Sequence, residues 1–205
     1  MSQVELPTTS LPQFEKFEYR IYLTGNVTMR KCTELVDTMY DMDDVNHQTP
    51  EPKPIRLVLN TPGGDMMAAQ MVCDVIDEIQ TPVFASGYGM VGSAGLYIFM
   101  ACEKGYRSCA KYTRFLSHRF STTMMGEHSE LKALQKDNDK MFENMVEHYI
   151  LCTGLSRKKV ESILLPENKN IWMSAEECIK FGIVDQITGN RYVKRNKRSP
   201  KPNKE

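Results

Sequence analysis

Residues 55–86, IRLVLN-TPGG-DMMAAQMVCDVIDEIQ-TPVFAS, leave this chain few choices of fold. IRLVLN (55–60) is a short apolar strand, and TPGG is a turn in which two glycines permit unusual backbone angles. Asp65–Gln80 follows with Ala69, Val72, Ile76 and Ile79 at three- and four-residue spacing, which marks one apolar face of a helix. PVFAS (82–86) is a second strand. A strand that crosses over through a helix to the next strand pairs with it in parallel, so the chain is predicted to be α/β.

The flanking sequence repeats the pattern. YRIYLTG reads as a strand ending at Gly25, followed by a helix around Met29–Met42 and a polar, proline-rich loop, DMDDVNHQTPEPKP. SAGLYIFMAC is an apolar helix, and RSCAKYTRFLSH holds one or two more strands. From about 126 to 152, Leu131, Leu134, Met141, Met145 and Tyr149 fall at roughly helical spacing. Such a helix is about 40 Å long, too long for a domain of this size to cover, so its outer part is left to meet another subunit. Thr153-Gly154 ends it, a short helix follows near Ser156–Leu165, and Ser174-Ala175-Glu176-Glu177 is a capping box for a last helix stopping at Gly182. Residues 1–17 read as a loose arm, 18–190 as one domain and 191–205 as a basic disordered tail.

Composition narrows the function classes. The chain has 205 residues and 26 residues of each charge sign; the tail 191–205 holds seven Lys/Arg and one Glu, leaving 19 basic against 25 acidic residues elsewhere. Nucleic acid is therefore not the expected partner of the domain. No run of 18 apolar residues and no apolar signal core occurs, so a cytoplasmic protein without a membrane span is predicted. Six cysteines without a C-x-x-C pair argue for reduced thiols rather than a zinc site or disulfide frame.

The segment SGYGMVGSAGLYIF (86–99) supports two readings. Gly87–Gly92 is a formal G-x-G-x-x-G after a strand and before a helix, but the acidic residue such dinucleotide sites place some 20 residues on is missing, Glu103 lying too early. The other reading is a nucleophile, Ser93, at a helix start among small neighbours, where unpaired N–H groups suit an oxyanion. A serine needs a base. His118 follows an apolar strand, whereas His47 lies in a polar loop and His128 and His148 on the long helix read as surface.

Taken together, YLTGNV, LNTPGGDMMAAQMVCDVI, GMVGSAGLYIFMA, YTRFLSHRF and WMSAEECIKFGIVDQI resemble, in order, segments of the ClpP family, the proteolytic subunit of the ATP-dependent Clp protease. The resemblance implies a ClpP/crotonase-like fold of repeated β-α-β turns with a projecting helical handle at about 126–152. It implies a serine endopeptidase in which Ser93 attacks, His118 is the base, and the N–H groups of Gly64 and Ala94 stabilise the oxyanion. It implies seven-subunit rings stacked in pairs, with unfolded proteins fed in by an AAA+ unfoldase and no cofactor in the subunit itself.

The chain departs from that pattern at the third triad position. Aligning on Ser174-Ala175 places Asn170 where the family has an aspartate. Four readings follow: a slow enzyme, Glu167 reaching in, a Ser–His pair alone, or an inactive subunit of a mixed ring. RFSTTMMG replaces the family's proline and glycine-rich strand after the histidine, the N-terminal arm is short, and a loop insertion lies near 46–54. A processing peptidase working without an unfoldase is a further alternative.

Overall fold

The computed structural model describes residues 19–189, so the expected arm and basic tail lie outside the described residues. Seven strands form one sheet: β1 (Tyr19–Thr24), β2 (Ile55–Thr61), β3 (Val83–Gly92), β4 (Arg107–Ala110), β5 (Arg114–Ser117), β6 (Ile171–Met173) and β7 (Gln186–Thr188). The order is β1-β2-β3-β4-β7, with β5 also on β3 and β6 on β5. Every pairing is parallel except β5–β6. The helices are α1 (Met29–His47), α2 (Met66–Glu78), α3 (Ala94–Ala101), α4 (His128–Thr153), α5 (Arg157–Lys159), which runs into a π-helical turn at Val160–Leu164, and α6 (Ala175–Lys180). This is the α/β class expected from the crossover pattern. No helix among the described residues is long and apolar enough to cross a membrane.

Alternation along the strands decides the faces. Ile55, Leu57 and Leu59 of β2 are buried toward the helices. Arg20, Tyr22, Arg56, Val58, Ser86 and Tyr88, the alternate positions, line a cavity of about 500 Å³ on the opposite face. Helix α3 is apolar all round, and its residues from Ala94 to Met100 are buried, as such a helix must be to exist in water. Gly95 lets it press on β2: a Cβ there would collide with Thr61 Cγ2.

Two boundaries differ from the sequence reading. Helix α1 runs on to His47 through residues that read as loop. The reason is burial of polar side chains with partners. Asp43 accepts from Thr81 N–H at 2.8 Å, and Asn46 donates to Lys53 O at 2.8 Å and Thr81 Oγ1 at 2.9 Å. These residues tie α1 to two loops, so their polarity serves the interior. The strand expected at 82–86 continues to Gly92 because its second half pairs with β5.

The long helix, expected at about 126–152, spans His128–Thr153. Glu127 and Glu130 close a capping box at its start, and Gly154, at φ 76, caps its end. Only its last turns pack inward, through Met145, Val146 and Tyr149, while 128–140 is largely exposed.

A buried ion pair closes the far edge of the sheet. Arg107, fully buried in β4, binds Asp185 through Nε at 2.9 Å and Nη2 at 2.8 Å, and also donates to Cys152 O and Gly182 O. Burial pushes the Asp185 carboxyl upward, but the Arg107 guanidinium and the N–H groups of Gly105 and Arg107 outweigh it and hold the carboxyl below its usual value. A carboxyl with a depressed folded value adds stability that is complete above its unfolded value, about 3.9, and is lost as pH falls through the folded value. Thermal unfolding between pH 2 and 6 is expected to show this loss, and Asp185→Asn to flatten it. The variant strands a buried cation, so it is expected to cost about 3–5 kcal/mol at neutral pH.

Candidate active site

The turn from β3 into α3 sets the site. Ser93 stands between them at φ 53, ψ −124, a region that residues with a side chain rarely occupy. Its N–H donates to Leu116 O at 2.8 Å, and its own carbonyl accepts from Leu96 and Tyr97 N–H groups. The strained backbone therefore has bonds on both sides, and the side chain is left to project from the corner. A similarly sharp strand-to-helix turn exposes the nucleophile of α/β-hydrolases.

Strand β5 brings His118 to that corner. Its parallel pairing with β3 (Gly92 opposite Leu116) sets residues 117 and 118 beside Ser93. His118 Nε2 lies 2.8 Å from Ser93 Oγ. With the ring proton on Nδ1, the hydroxyl donates to Nε2, the arrangement a general base requires. The two residues stand 25 apart in sequence.

The TPGG turn lies against the same corner. Gly63, at φ 105, is so close that a Cβ would stand 2.6 Å from Ser93 Cβ and 2.7 Å from Gly92 O. Gly64 bridges Val27: Val27 N–H donates to Gly63 O at 2.9 Å and Asp65 N–H to Val27 O at 3.0 Å. In a parallel bridge the central residue's own N–H faces away from its partner, and that of Gly64 has no acceptor among the described residues. The Ala94 N–H, first in α3, has none either. Asp65 caps α2 by accepting from Met67 and Ala68 N–H groups. Beyond it, Met66, Met67, Tyr97 and Met141 help line a cleft of about 240 Å³ between α2, α3 and α4.

Asn170 sits just before β6. The antiparallel register ends at Ser117–Ile171, and one further step sets Asn170 opposite His118. Even so, Asn170 is exposed and makes no side-chain hydrogen bond among the described residues. Glu167 does not reach the imidazole; its carboxylate pairs with Arg119 at 3.4 Å and is 76% exposed. Residues 118–126, after β5, form no strand among the described residues.

The dinucleotide alternative falls, and one expectation is corrected. Gly87–Gly92 is part of β3, its backbone committed to β2, β4 and β5, so it forms no phosphate-binding loop. His148 is no surface residue: it stacks on Tyr97 with ring centroids 3.8 Å apart, and its Nε2 meets Tyr97 O at 3.0 Å. Burial lowers its pKa to about 4 against the opposing bond to Tyr97 O. All six cysteines are unpaired and five are buried. Burial pushes the thiols of Cys102 and Cys109 up to about 12, which makes them poor nucleophiles. Gly63, Ser117 and Arg119 are the neighbours of the site that the sequence did not single out. For Gly63 a signal existed, the doubled glycine itself.

The Clp protease family matches residues 13–191. The chain is 30% identical to the ATP-dependent Clp protease proteolytic subunit 3 of Rhizobium meliloti, over 90% of this chain and 91% of that protein. It is 27% identical to the proteolytic subunit 2 of Pseudomonas aeruginosa (82% and 80% covered) and 28% identical to the proteolytic subunit 1 of Chlamydia trachomatis (82% and 85%).

Gly63→Ala isolates the close approach. It is expected to lower the thermal midpoint well beyond Gly105→Ala, since Gly105 has a similar φ of 95 but open space around its would-be Cβ. The control carries only the backbone strain, about 1–2 kcal/mol, and equal midpoints would show that the corner has slack.

Proposed function

Because the chain belongs to the Clp protease family, we propose that it is a serine endopeptidase that cuts unfolded polypeptides with Ser93 as nucleophile and His118 as base. The observation that carries this reading is the 2.8 Å contact between Ser93 Oγ and His118 Nε2 at a strained strand-to-helix corner. Ser93 Oγ attacks the scissile carbonyl carbon while His118 Nε2 takes the hydroxyl proton. The carbonyl oxygen becomes an oxyanion, held by the Gly64 and Ala94 N–H groups. The C–N bond then breaks, His118 returns the proton to the leaving amine, and an acyl-enzyme remains on Ser93. Water, deprotonated by His118, releases the second product and restores the hydroxyl.

Assembly follows from the same family reading. Rings of seven, stacked in pairs, would place Ser93 inside a chamber and give the exposed half of α4 a partner surface. The ATP-dependent relatives support an AAA+ unfoldase that feeds this chamber, working in a reducing cytoplasm that suits six free thiols.

A second reading, a weak or inactive ring subunit, is favoured by Asn170. A neutral amide does not stabilise the imidazolium that forms during attack, and in a trypsin-like enzyme the same exchange lowers turnover about 10⁴-fold. Position 170 is opposite His118 in register, so a carboxylate there has a short path to Nδ1.

Labelling with a serine-reactive fluorophosphonate, mapped by peptide mass, separates the two readings. An adduct on Ser93 that vanishes in His118→Ala is expected; its absence from assembled wild-type protein would favour the inactive subunit. Turnover of a fluorogenic peptide is expected to rise at least tenfold in Asn170→Asp, within the roughly 10⁴-fold span of that exchange. An unchanged rate would mean that residue 170 does not limit the reaction.

A further inference from the structure

We propose that Ser117 and Arg119 are positioning residues for His118, fixing the imidazole through its backbone where other enzymes use a carboxylate on Nδ1. The inference rests on the Ser93–His118 reading above and addresses how that pair stays aligned.

Among the described residues, Ser93 is the one hydrogen-bonding partner of the His118 ring. A ring held at one nitrogen can swing about its side-chain torsions, and a displacement of about 1 Å costs a proton transfer about 100-fold in rate. Something else must hold it. The residues on either side of His118 are both anchored, and to consecutive carbonyls. Ser117, fully buried, donates from Oγ to Leu164 O at 2.7 Å. Arg119 donates from Nε to Leu165 O at 2.9 Å.

Strand alternation, which β5 sets up as far as Ser117, explains why this aims the ring. Side chains at i and i+2 leave one side and the side chain between them leaves the other. With 117 and 119 both turned to the Leu164–Leu165 segment, His118 is turned away from it, toward Ser93. The acceptors exist because the π-helical turn ends there: Leu165 N–H closes on Val160 O, and the last carbonyls of a helix have no donor within it. π-Turns of this kind recur at functional sites.

Each anchor is itself supported. The Ser117 hydroxyl meets the buried Tyr149 hydroxyl at 3.0 Å, which links it to α4. The Arg119 guanidinium lies 4.5 Å from the Phe142 ring centroid, also on α4, and 3.4 Å from Glu167. The clamp therefore joins the base to the π-turn and to the inner half of the long helix. The Glu167 pair is exposed and contributes little by itself; the carbonyl bond and the ring contact do the holding.

Steady-state kinetics on the assembled full chain test this, with a fluorogenic peptide as substrate. Arg119→Ala is expected to lower kcat at least tenfold with KM within twofold, assembly and thermal midpoint being kept. Arg119→Lys, which keeps a donor for Leu165 O and a cation over Phe142, is expected to recover much of the loss. Glu167→Gln is expected to leave kcat within twofold. In the Asn170→Asp background the penalty of Arg119→Ala is expected to shrink below threefold, because a carboxylate on Nδ1 takes over the orienting role. A purely structural residue would show no such coupling. A kcat within twofold of wild type in Arg119→Ala, or a penalty undiminished beside Asn170→Asp, would overturn the proposal. A second readout needs no turnover: carbethoxylation of His118 by diethyl pyrocarbonate, mapped by mass, is expected to speed up severalfold in Arg119→Ala and Ser117→Ala while His128 is unaffected. An unchanged rate overturns the clamp. Failure of wild-type Ser93 to take the fluorophosphonate would instead sink the hydrolase reading, with the clamp still judged by the histidine probe.

Discussion

The hydrogen-bond ladder of β3 is the constraint on which the rest of the structure depends. Residues 83–87 and Val91 of this ten-residue strand pair with β2 on one edge, while the other edge serves β4 with residues 85–87 and β5 with residues 90–92. One strand can serve three neighbours only by being long and by shifting register, and the shift falls between Leu59 and Thr61 of β2. Asn60 is placed in that gap, where Oδ1 accepts from Met90 N–H at 3.2 Å and packs against Gly89. The glycines of this strand thus serve bending and close contact. Ser93 is the residue at which the ladder stops, so its position is as fixed as the sheet.

The polar interior follows the same economy. Among the described residues no buried side-chain nitrogen or oxygen lacks a hydrogen-bond partner. Asp43 and Asn46 close loops, Ser86 and Ser108 bond across β3 and β4 at 3.0 Å, and Arg107 satisfies two carbonyls and a carboxylate. A buried donor without a partner costs about 1–3 kcal/mol, so each of these side chains is there because backbone nearby needs it. Ser117 belongs to this group, and its bond to Leu164 O lies next to His118 in the chain. His148 shows the contrary case: the same residue type, buried on Tyr97 with its proton affinity lowered, is part of the core.

Much of this was legible beforehand, for identifiable reasons. A short apolar run gave the strand around Ile55–Leu59, and the 3.6 period gave α2 and the inner face of α4. Gly154 and the Ser174–Glu177 box marked helix ends by local backbone chemistry. Where the reading failed, nonlocal partners had overridden composition. Residues 43–47 look like loop because they are polar, yet they are helical because Thr81 and Lys53 supply bonds from distant segments. The segment Gly87–Gly92 looks like a turn because it is glycine-rich, yet the strand continues through it, with residues 90–92 paired to β5. The histidines on α4 could not be sorted into surface and core without knowing which side of that helix meets Tyr97.

By itself the sequence determined the class of fold, the crossover order of its first strands, the corner at Ser93 with its small neighbours, and the candidate serine and histidine, while Asn170 came only through the resemblance to the ClpP family. Those are local facts: periodicity, glycine content and the order of motifs along one chain. Tertiary structure alone decided that His118 Nε2 stands 2.8 Å from Ser93 Oγ, that Asn170 falls opposite His118 without bonding to it, and that Glu167 is taken up by Arg119. Each of these depends on the register between strands distant in sequence. A shift of one residue turns every side chain to the other face, and the packing and hydrogen bonds of the folded chain select that register.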